Sequence, residues 1–97
     1  MRQRRGMSSM IQEEWQGKKA QITQILEGVS NDTGTPRNIR RTAKNAADEL
    51  DNEKLSPPVR AANAIEMINE ILSDPNMPSW TRTALWSAIS LLETVRR

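Results

Sequence analysis

Three prolines divide the chain into segments of helical length. Pro36, Pro57 and Pro78 lie 21 residues apart, and each stands where an amphipathic pattern of helical period begins. Proline is favoured in the first turn of a helix, because its ring fixes φ and its missing N–H has no partner there in any case. A chain of 97 residues is the size of one domain. The prolines therefore predict four helices joined by short connections.

Each segment carries apolar side chains at helical spacing. The expected helices begin close to Met10 and at the three prolines, with Thr35 as the N-cap of the second. The four apolar stripes are Ile11, Trp15, Ile22, Ile25, Leu26 and Val29; Ile39, Ala43, Ala46, Ala47 and Leu50; Val59, Ala62, Ile65, Ile68, Ile71 and Leu72; and Leu85, Ala88, Ile89, Leu92 and Val95. Because these stripes must be buried against one another, we expect an all-α fold, a four-helix bundle built from two helical hairpins over residues 10–97.

The two hairpins also resemble each other in sequence. Asp32 and Asp74 each lie four residues before a proline, and Arg40 and Arg82 each lie four residues after it. Paired helices of this kind recur in repeat proteins, and two pairs are enough to close on each other as a bundle. In the third segment Arg60 lies three residues after Pro57, so the distance from proline to arginine is one residue shorter than in the other two segments. The sequence therefore favours a duplicated hairpin over a single repeated helix.

Composition excludes most catalytic and metal-binding chemistry. The chain contains no cysteine and no histidine, so it has no thiolate nucleophile and no ligands for structural zinc. The acidic residues within 48–53 lie at a helix end and in a polar loop, where no cleft separates the pKa values of two carboxylates. We therefore expect a protein that is not an enzyme, holds no cofactor or metal and takes no small-molecule substrate. Since no apolar run approaches the length of a membrane span, we also expect no membrane association and a cytoplasmic location.

Positive charge is concentrated at the amino terminus. Residues 1–6 contain Arg2, Arg4 and Arg5 without an acid, whereas the rest of the chain has 11 basic and 12 acidic side chains. A short basic segment has little reason to fold alone, so residues 1–9 are expected to form a basic, flexible arm. Such arms lie along RNA or DNA backbones and make the affinity depend on salt. A disordered tail that only aids solubility is the alternative.

A second group of basic residues shares one helix face. Arg37, Arg40, Arg41 and Lys44 occupy positions i, i+3, i+4 and i+7, on the side of the second helix away from its apolar stripe. Arginines in the first two turns oppose the helix dipole by about 0.3–1 kcal/mol per site, which a sequence selected for stability alone would avoid. Arginine also binds phosphate in a bidentate manner. Two interpretations stay open: a stripe that contacts a polyanion, or a solvated face in which Lys44 pairs with Asp48.

The fourth helix is apolar nearly all round, because Trp86 and Leu91 lie off its main stripe on opposite sides. A helix of this kind is either central or covered by a partner. Tryptophan contributes to interfaces more often than most side chains, so Trp86 and Leu91 are candidates for contact with a protein partner or a second copy of the chain. The alternative is that Trp86 is a flank residue packed on a neighbouring helix.

Three motifs follow one another between the second and fourth segments. They are Thr35-Pro36-Arg37-Asn38-Ile39-Arg40, the loop Ser73-Asp74-Pro75-Asn76-Met77-Pro78, and the downstream residues Arg82, Trp86 and Leu92-Glu93. With this set the chain resembles a small archaeal protein family of unassigned function, whose members are about this length and similar to a four-helix, bromodomain-like bundle. The resemblance covers about residues 10–95 and leaves out the basic arm. It implies an archaeal, cytoplasmic protein with this fold, and it implies no catalytic or binding residues.

Charge and composition together favour a non-catalytic binding module. The expected partner is RNA or a ribonucleoprotein such as the archaeal ribosome, bound through the basic arm and the arginine-rich face of the second helix. The alternative is a protein–protein interaction module or a homo-oligomer that uses the apolar fourth helix.

Overall fold

The computed structural model describes the backbone of residues 2–96 and the side chains of residues 12–96. The helices in this part of the chain are α1 (Arg2–Ser30), α2 (Arg37–Glu49), α3 (Pro57–Ile71) and α4 (Ser79–Arg96). α1 packs on α2, α2 on α3 and α3 on α4, and α4 returns to α1, so the helices form a closed ring. The expected all-α four-helix bundle is confirmed. Within the described backbone, no helix combines the length and the hydrophobicity needed to cross a membrane.

All four helices contribute to one hydrophobic core. Its largest apolar side chains with no exposed surface are Ile22, Leu26, Val29, Ile39, Leu50, Ile68, Leu85 and Leu92. In α2 the fully buried positions between Ile39 and Leu50 are Ala43 and Ala46, and small side chains let the neighbouring backbones approach closely. The apolar stripes expected for α1, α2 and α4 are therefore confirmed for the described side chains.

The stripe expected for α3 is wrong at its first member. Val59 keeps 44% of its surface exposed. The buried face of α3 is formed by Ala61, Ala64, Ile65 and Ile68. Val59 lies nine residues before Ile68, and at about 100° per residue this places it on the opposite side of the helix.

α1 begins at Arg2 instead of near Met10, so the helix includes residues that were expected to precede it. It has 29 residues, more than twice the 13 residues of α2. The side chains of Arg2, Arg4 and Arg5 lie outside the described residues. The phosphate contacts expected of the basic arm therefore stay a prediction.

Buried hydroxyl groups connect the α1–α2 connection to α4. The N-cap expected at Thr35 is wrong: Pro36 occupies that position, without a side-chain capping bond. Thr35 is instead 2% exposed, donates its hydroxyl hydrogen to the Asp32 carboxylate at 2.6 Å, and lies 3.0 Å from the hydroxyl of Thr81. A carboxylate only accepts, so the single Thr35 hydrogen is used on Asp32 and Thr81 must donate to Thr35.

Two arginines complete the ends of the helices before them. From the first turn of α3, Arg60 donates from Nη1 to the Leu50 carbonyl at 3.2 Å. From the first turn of α4, Arg82 donates from Nη1 to the Leu72 carbonyl and from Nη2 to the Asp74 carbonyl at 3.2 Å. Leu50 and Leu72 are the C-cap residues of α2 and α3, where carbonyls lack a partner inside the helix. No described residue has a positive φ, so no left-handed glycine completes these ends, and the arginine side chains add to the backbone bonds from the connections.

Candidate nucleic-acid interface

A groove of about 800 Å³ runs between α1 and α2. Its walls come from the second half of α1, from the outer flank of α2 and from the beginning of the α2–α3 connection. Polar and charged side chains form most of its lining: Thr23, Glu27, Ser30, Asn31, Arg37, Arg40, Arg41, Lys44, Asp48 and Asp51. The groove is therefore a surface for a polar or charged partner.

The structure brings together all four basic residues expected on the second helix. Arg37, Arg41 and Lys44 are exposed, Arg40 is half-buried, and each lines the groove. The inner face of α2 is occupied by Ile39 and the buried alanines. The four basic residues lie on another face of the helix, because they are spaced i, i+3, i+4 and i+7, and this face adjoins the flank of α1.

The positive charges of the groove have no ionic partner in residues 12–96. The solvated-face interpretation includes an ion pair between Lys44 and Asp48, and the described side chains do not form this pair, although the exposure of Arg37, Arg41 and Lys44 agrees with a solvated face. The ion pairs in this range are Lys19–Asp51, at 2.6 Å, and a second one at the end of α4. Lys19 therefore neutralises one groove carboxylate, while the four basic side chains stay available.

Three carboxylates also line the groove: the reasoning from sequence missed Glu27, and it treated Asp48 and Asp51 only as part of the acidic stretch 48–53. Glu27 comes from α1, Asp48 from α2 and Asp51 from the α2–α3 connection. The signal for the α1 wall was the spacing of Thr23, Glu27 and Asn31, which lie four residues apart on one flank of the helix. In the described part of the chain, no group of three or more carboxylates is arranged to hold a metal ion.

Arg40 differs from the other basic residues of the groove in its surroundings. Its Nε is buried and has no hydrogen-bond partner among the described residues. A buried polar group left without a partner is uncommon and unfavourable by about 1–3 kcal/mol. Arg40 therefore keeps an unpaired N–H donor, which another molecule can reach only when the side chain shifts toward the groove.

Asp74 has a shifted pKa, and it lies outside the groove. The side chain of Asn38 donates to its carboxylate at 2.9 Å, and the backbone N–H of Asn76 donates at 2.9 Å. These hydrogen bonds, together with the nearby charge of Arg82, hold the pKa of Asp74 below its ordinary value. The contacts connect α2 to the α3–α4 connection and so support the bundle beside the groove.

The two residues expected at a protein interface lie on different sides of α4. Trp86 is 53% exposed, whereas Leu91 is half-buried and packs against the core. Five residues separate them, which corresponds to about 140° around a helix, so they do not form one patch. Trp80, at the start of α4, is also exposed. An interface on α4 would therefore use Trp86 without Leu91.

These features define the chain as a small four-helix bundle with a charged interhelical groove. The chain belongs to the uncharacterised protein family UPF0147, whose sequence model matches residues 6–95. The resemblance to a small archaeal family is thereby confirmed, and the match reaches back into the segment that was expected to be an arm.

Relatives in archaea cover most of the chain. The UPF0147 protein of Aeropyrum pernix is 53% identical over 81 residues, which are 84% of this chain and 89% of the relative. The UPF0147 protein of Sulfurisphaera tokodaii is 49% identical over 90 residues, 93% of this chain and 99% of the relative.

Solved structures share the same fold. The crystal structure of the unknown-function protein MMP1188 has a TM-score of 0.80 and 45% identity, covering 82% of this chain and 91% of that one. The crystal structure of a UPF0147 family protein from Thermoplasma acidophilum has a TM-score of 0.77 and 32% identity, covering 82% of this chain and 94% of that one.

Proposed function

We propose that this protein is a non-catalytic binding module that docks, in the cytoplasm, on RNA or on a ribonucleoprotein such as the archaeal ribosome. The observation that carries the proposal is that Arg37, Arg40, Arg41 and Lys44 line one groove and form no ion pair within residues 12–96. Basic side chains in this situation attract phosphates, and each phosphate that they neutralise releases a condensed counterion.

The spacing of the basic residues suits a nucleic acid strand. Arg37 and Lys44 are seven residues apart, which is about 10 Å along a helix axis. The rise along the axis of a duplex is about 3.4 Å per nucleotide on each strand, so this row of side chains is as long as about three nucleotide steps. Glu27 and Asp48 repel phosphate, and they direct the strand toward the basic positions of α2.

The proposal is tested by measuring RNA affinity as a function of salt concentration. A short single-stranded RNA with a fluorescent label is titrated with the protein, and anisotropy gives the dissociation constant at each salt concentration. For about seven phosphate contacts on a single strand, four from the groove and three from the basic arm, log affinity should fall against log salt with a slope of about −5. If the protein does not bind this RNA even at low ionic strength, the proposal is wrong.

A matched pair of variants assigns the binding to the groove. Arg41→Gln removes one exposed charge from the groove and should reduce the salt slope by about 0.7. Lys54→Gln removes one exposed charge from the α2–α3 connection outside the groove and should leave the slope unchanged. Equal effects of the two variants would show that net charge, and not the groove, determines the affinity.

The basic arm adds a separate contribution under this proposal. Deleting residues 1–6 removes Arg2, Arg4 and Arg5 and should flatten the salt slope by about 2. Purification of the tagged protein from native lysate, with and without nuclease, then distinguishes an RNA-dependent association with ribosomal components from a direct protein contact. Nuclease should release the components if RNA is the partner.

A second candidate function is self-association through α4, and the exposed ring of Trp86 favours it. Sedimentation velocity over a range of protein concentrations tests this candidate. A dimer that dissociates on Trp86→Ala, but persists in Trp80→Ala, would support it. A monomer at every concentration would rule it out.

A further inference from the structure

Three arginines occupy the same position in consecutive helices. In each case the backbone N–H of the arginine donates to the carbonyl four residues before it, and these pairs are Arg40–Pro36 at 3.0 Å, Arg60–Ser56 at 3.0 Å and Arg82–Pro78 at 3.1 Å. The one-residue mismatch inferred for Arg60 from sequence disappears, because the N-cap of α3 is Ser56 and not Pro57. The first turns of α2, α3 and α4 are thus equivalent around these arginines.

The guanidinium groups of these arginines are used differently. Those of Arg60 and Arg82 bind carbonyl groups at the ends of α2 and α3. The guanidinium of Arg40 makes no such bond among the described residues, and its Nε is buried without a partner. Arg40 lines the groove instead.

The ends of all three helices have backbone bonds from the connections that follow them. At the end of α1, the carbonyls of Glu27 and Val29 accept from the backbone N–H groups of Asn31, at 2.9 Å, and Asp32, at 3.2 Å. The end of α2 has such bonds from Asp51 and Asn52, and the end of α3 has one from Asp74. The ends of α2 and α3 therefore differ from the end of α1 in the added arginine contact, which Arg40 does not make among the described residues.

We infer that the guanidinium of Arg40 shifts into the groove and binds one phosphate group of the nucleic acid there, through its Nε–H and a neighbouring Nη–H. The inference rests on the proposed function and adds a residue role and a ligand geometry to it. Two parallel N–H donors match two oxygens of one phosphate, and a buried donor becomes paired when the phosphate is in place. Arg37, Arg41 and Lys44 supply charge around this site without the same directional requirement.

Charge-conserving substitutions separate a directional contact from general attraction. Arg40→Lys keeps the positive charge and removes the guanidinium fork, so it should weaken binding of the labelled single-stranded RNA by about 10-fold with an unchanged salt slope. Arg41→Lys is the matched control on an exposed neighbour and should change affinity by less than about 2-fold. Arg82→Lys, at the equivalent position of α4, should lower the thermal midpoint and leave the RNA affinity of the folded protein unchanged.

The outcomes distinguish this inference from the proposed function. If Arg41→Gln weakens RNA binding while Arg40→Lys binds like the unaltered protein, the proposed function stands and the role of Arg40 is wrong. A role of Arg40 in structure alone would lower the thermal midpoint of Arg40→Lys as much as that of Arg82→Lys, with no change in RNA affinity, and would also overturn the inference. If polyglutamate displaces the RNA at the same concentration of anionic groups as polyphosphate does, the site has no preference for phosphate and the inference fails. If the unaltered protein binds no RNA at low salt, both proposals fail together.

Discussion

Replacing Thr81 with valine measures the buried hydroxyl contact that connects α4 to the α1–α2 connection. Thr81 has no exposed surface, and its hydroxyl lies 3.0 Å from that of Thr35. Because Thr35 donates to Asp32, Thr81 is the donor of the contact between the two threonines. Valine has nearly the shape of threonine, so Thr81→Val leaves no cavity and removes this hydrogen bond.

The expected loss of stability is the sum of two effects that lower the free energy of unfolding and one that raises it. A typical intramolecular hydrogen bond contributes about 1 kcal/mol net, and the Thr35 oxygen left without its donor in the interior adds about another 1 kcal/mol. The methyl group that replaces the hydroxyl gains about 0.8 kcal/mol by burial. The free energy of unfolding should therefore fall by about 1 kcal/mol, which corresponds to a decrease of about 4–8 °C in the thermal midpoint of a domain of this size.

Thermal and urea unfolding followed by far-UV circular dichroism test this value. Thr83→Val is the matched control: Thr83 is on the same helix and exposed, and its hydroxyl bonds only to the Ser79 carbonyl at 3.2 Å. The control should change stability by less than about 0.5 kcal/mol. A double-mutant cycle of Thr81→Val with Thr35→Val should give a coupling energy of about 1 kcal/mol. Additive effects of the two substitutions, or an unchanged midpoint in Thr81→Val, would refute the assigned hydrogen bond.

Two further predictions concern the acid range and the first helix. The pKa of Asp74 is lower in the folded chain than its ordinary value of 3.8, so its contribution to stability is present at neutral pH and is lost as the pH falls below that value. Acid unfolding of Asp74→Asn should therefore show a weaker loss of stability in this range than the unaltered protein, and equal acid profiles would contradict the assigned contacts. Gly17 lies inside α1 with open space around the position of a Cβ, so Gly17→Ala should raise the free energy of unfolding by about 0.5–1 kcal/mol in urea titrations. No gain in stability would mean that α1 is already fixed by its packing at this point.

The sequence determines the helices of this protein more clearly than their contacts. The prolines and apolar stripes locate α2, α3 and α4 because both signals are local, and Ser56 with Pro57 marks the start of α3 correctly. Thr35 has the residue type of an N-cap, but its partner Thr81 is 46 residues away, and no local pattern reveals it. Val59 is apolar and close to the start of a stripe, yet its angle around the helix places it in solvent.

One wall of the candidate site could be predicted from the sequence and the other could not, because only local spacing is visible in a sequence. Spacing alone places Arg37, Arg40, Arg41 and Lys44 on one face of α2, and the structure brings them into one groove. The opposite wall, with Glu27, depends on which flank of α1 meets α2, and that is a property of the assembled bundle. The environment of Arg40, whose Nε is buried without a partner among the described residues, depends on the packing around it and is visible only in the structure.

The arginines that reach back to the preceding helix couple neighbouring helix ends in local opening. Fraying of the first turn of α4 withdraws Arg82 from the last carbonyls of α3, and fraying of the first turn of α3 withdraws Arg60 from the end of α2. At these two joints the start of one helix and the end of the helix before it should therefore fray together. At the joint between α1 and α2 the described side chain of Arg40 makes no such contact, so the two helix ends there can open separately.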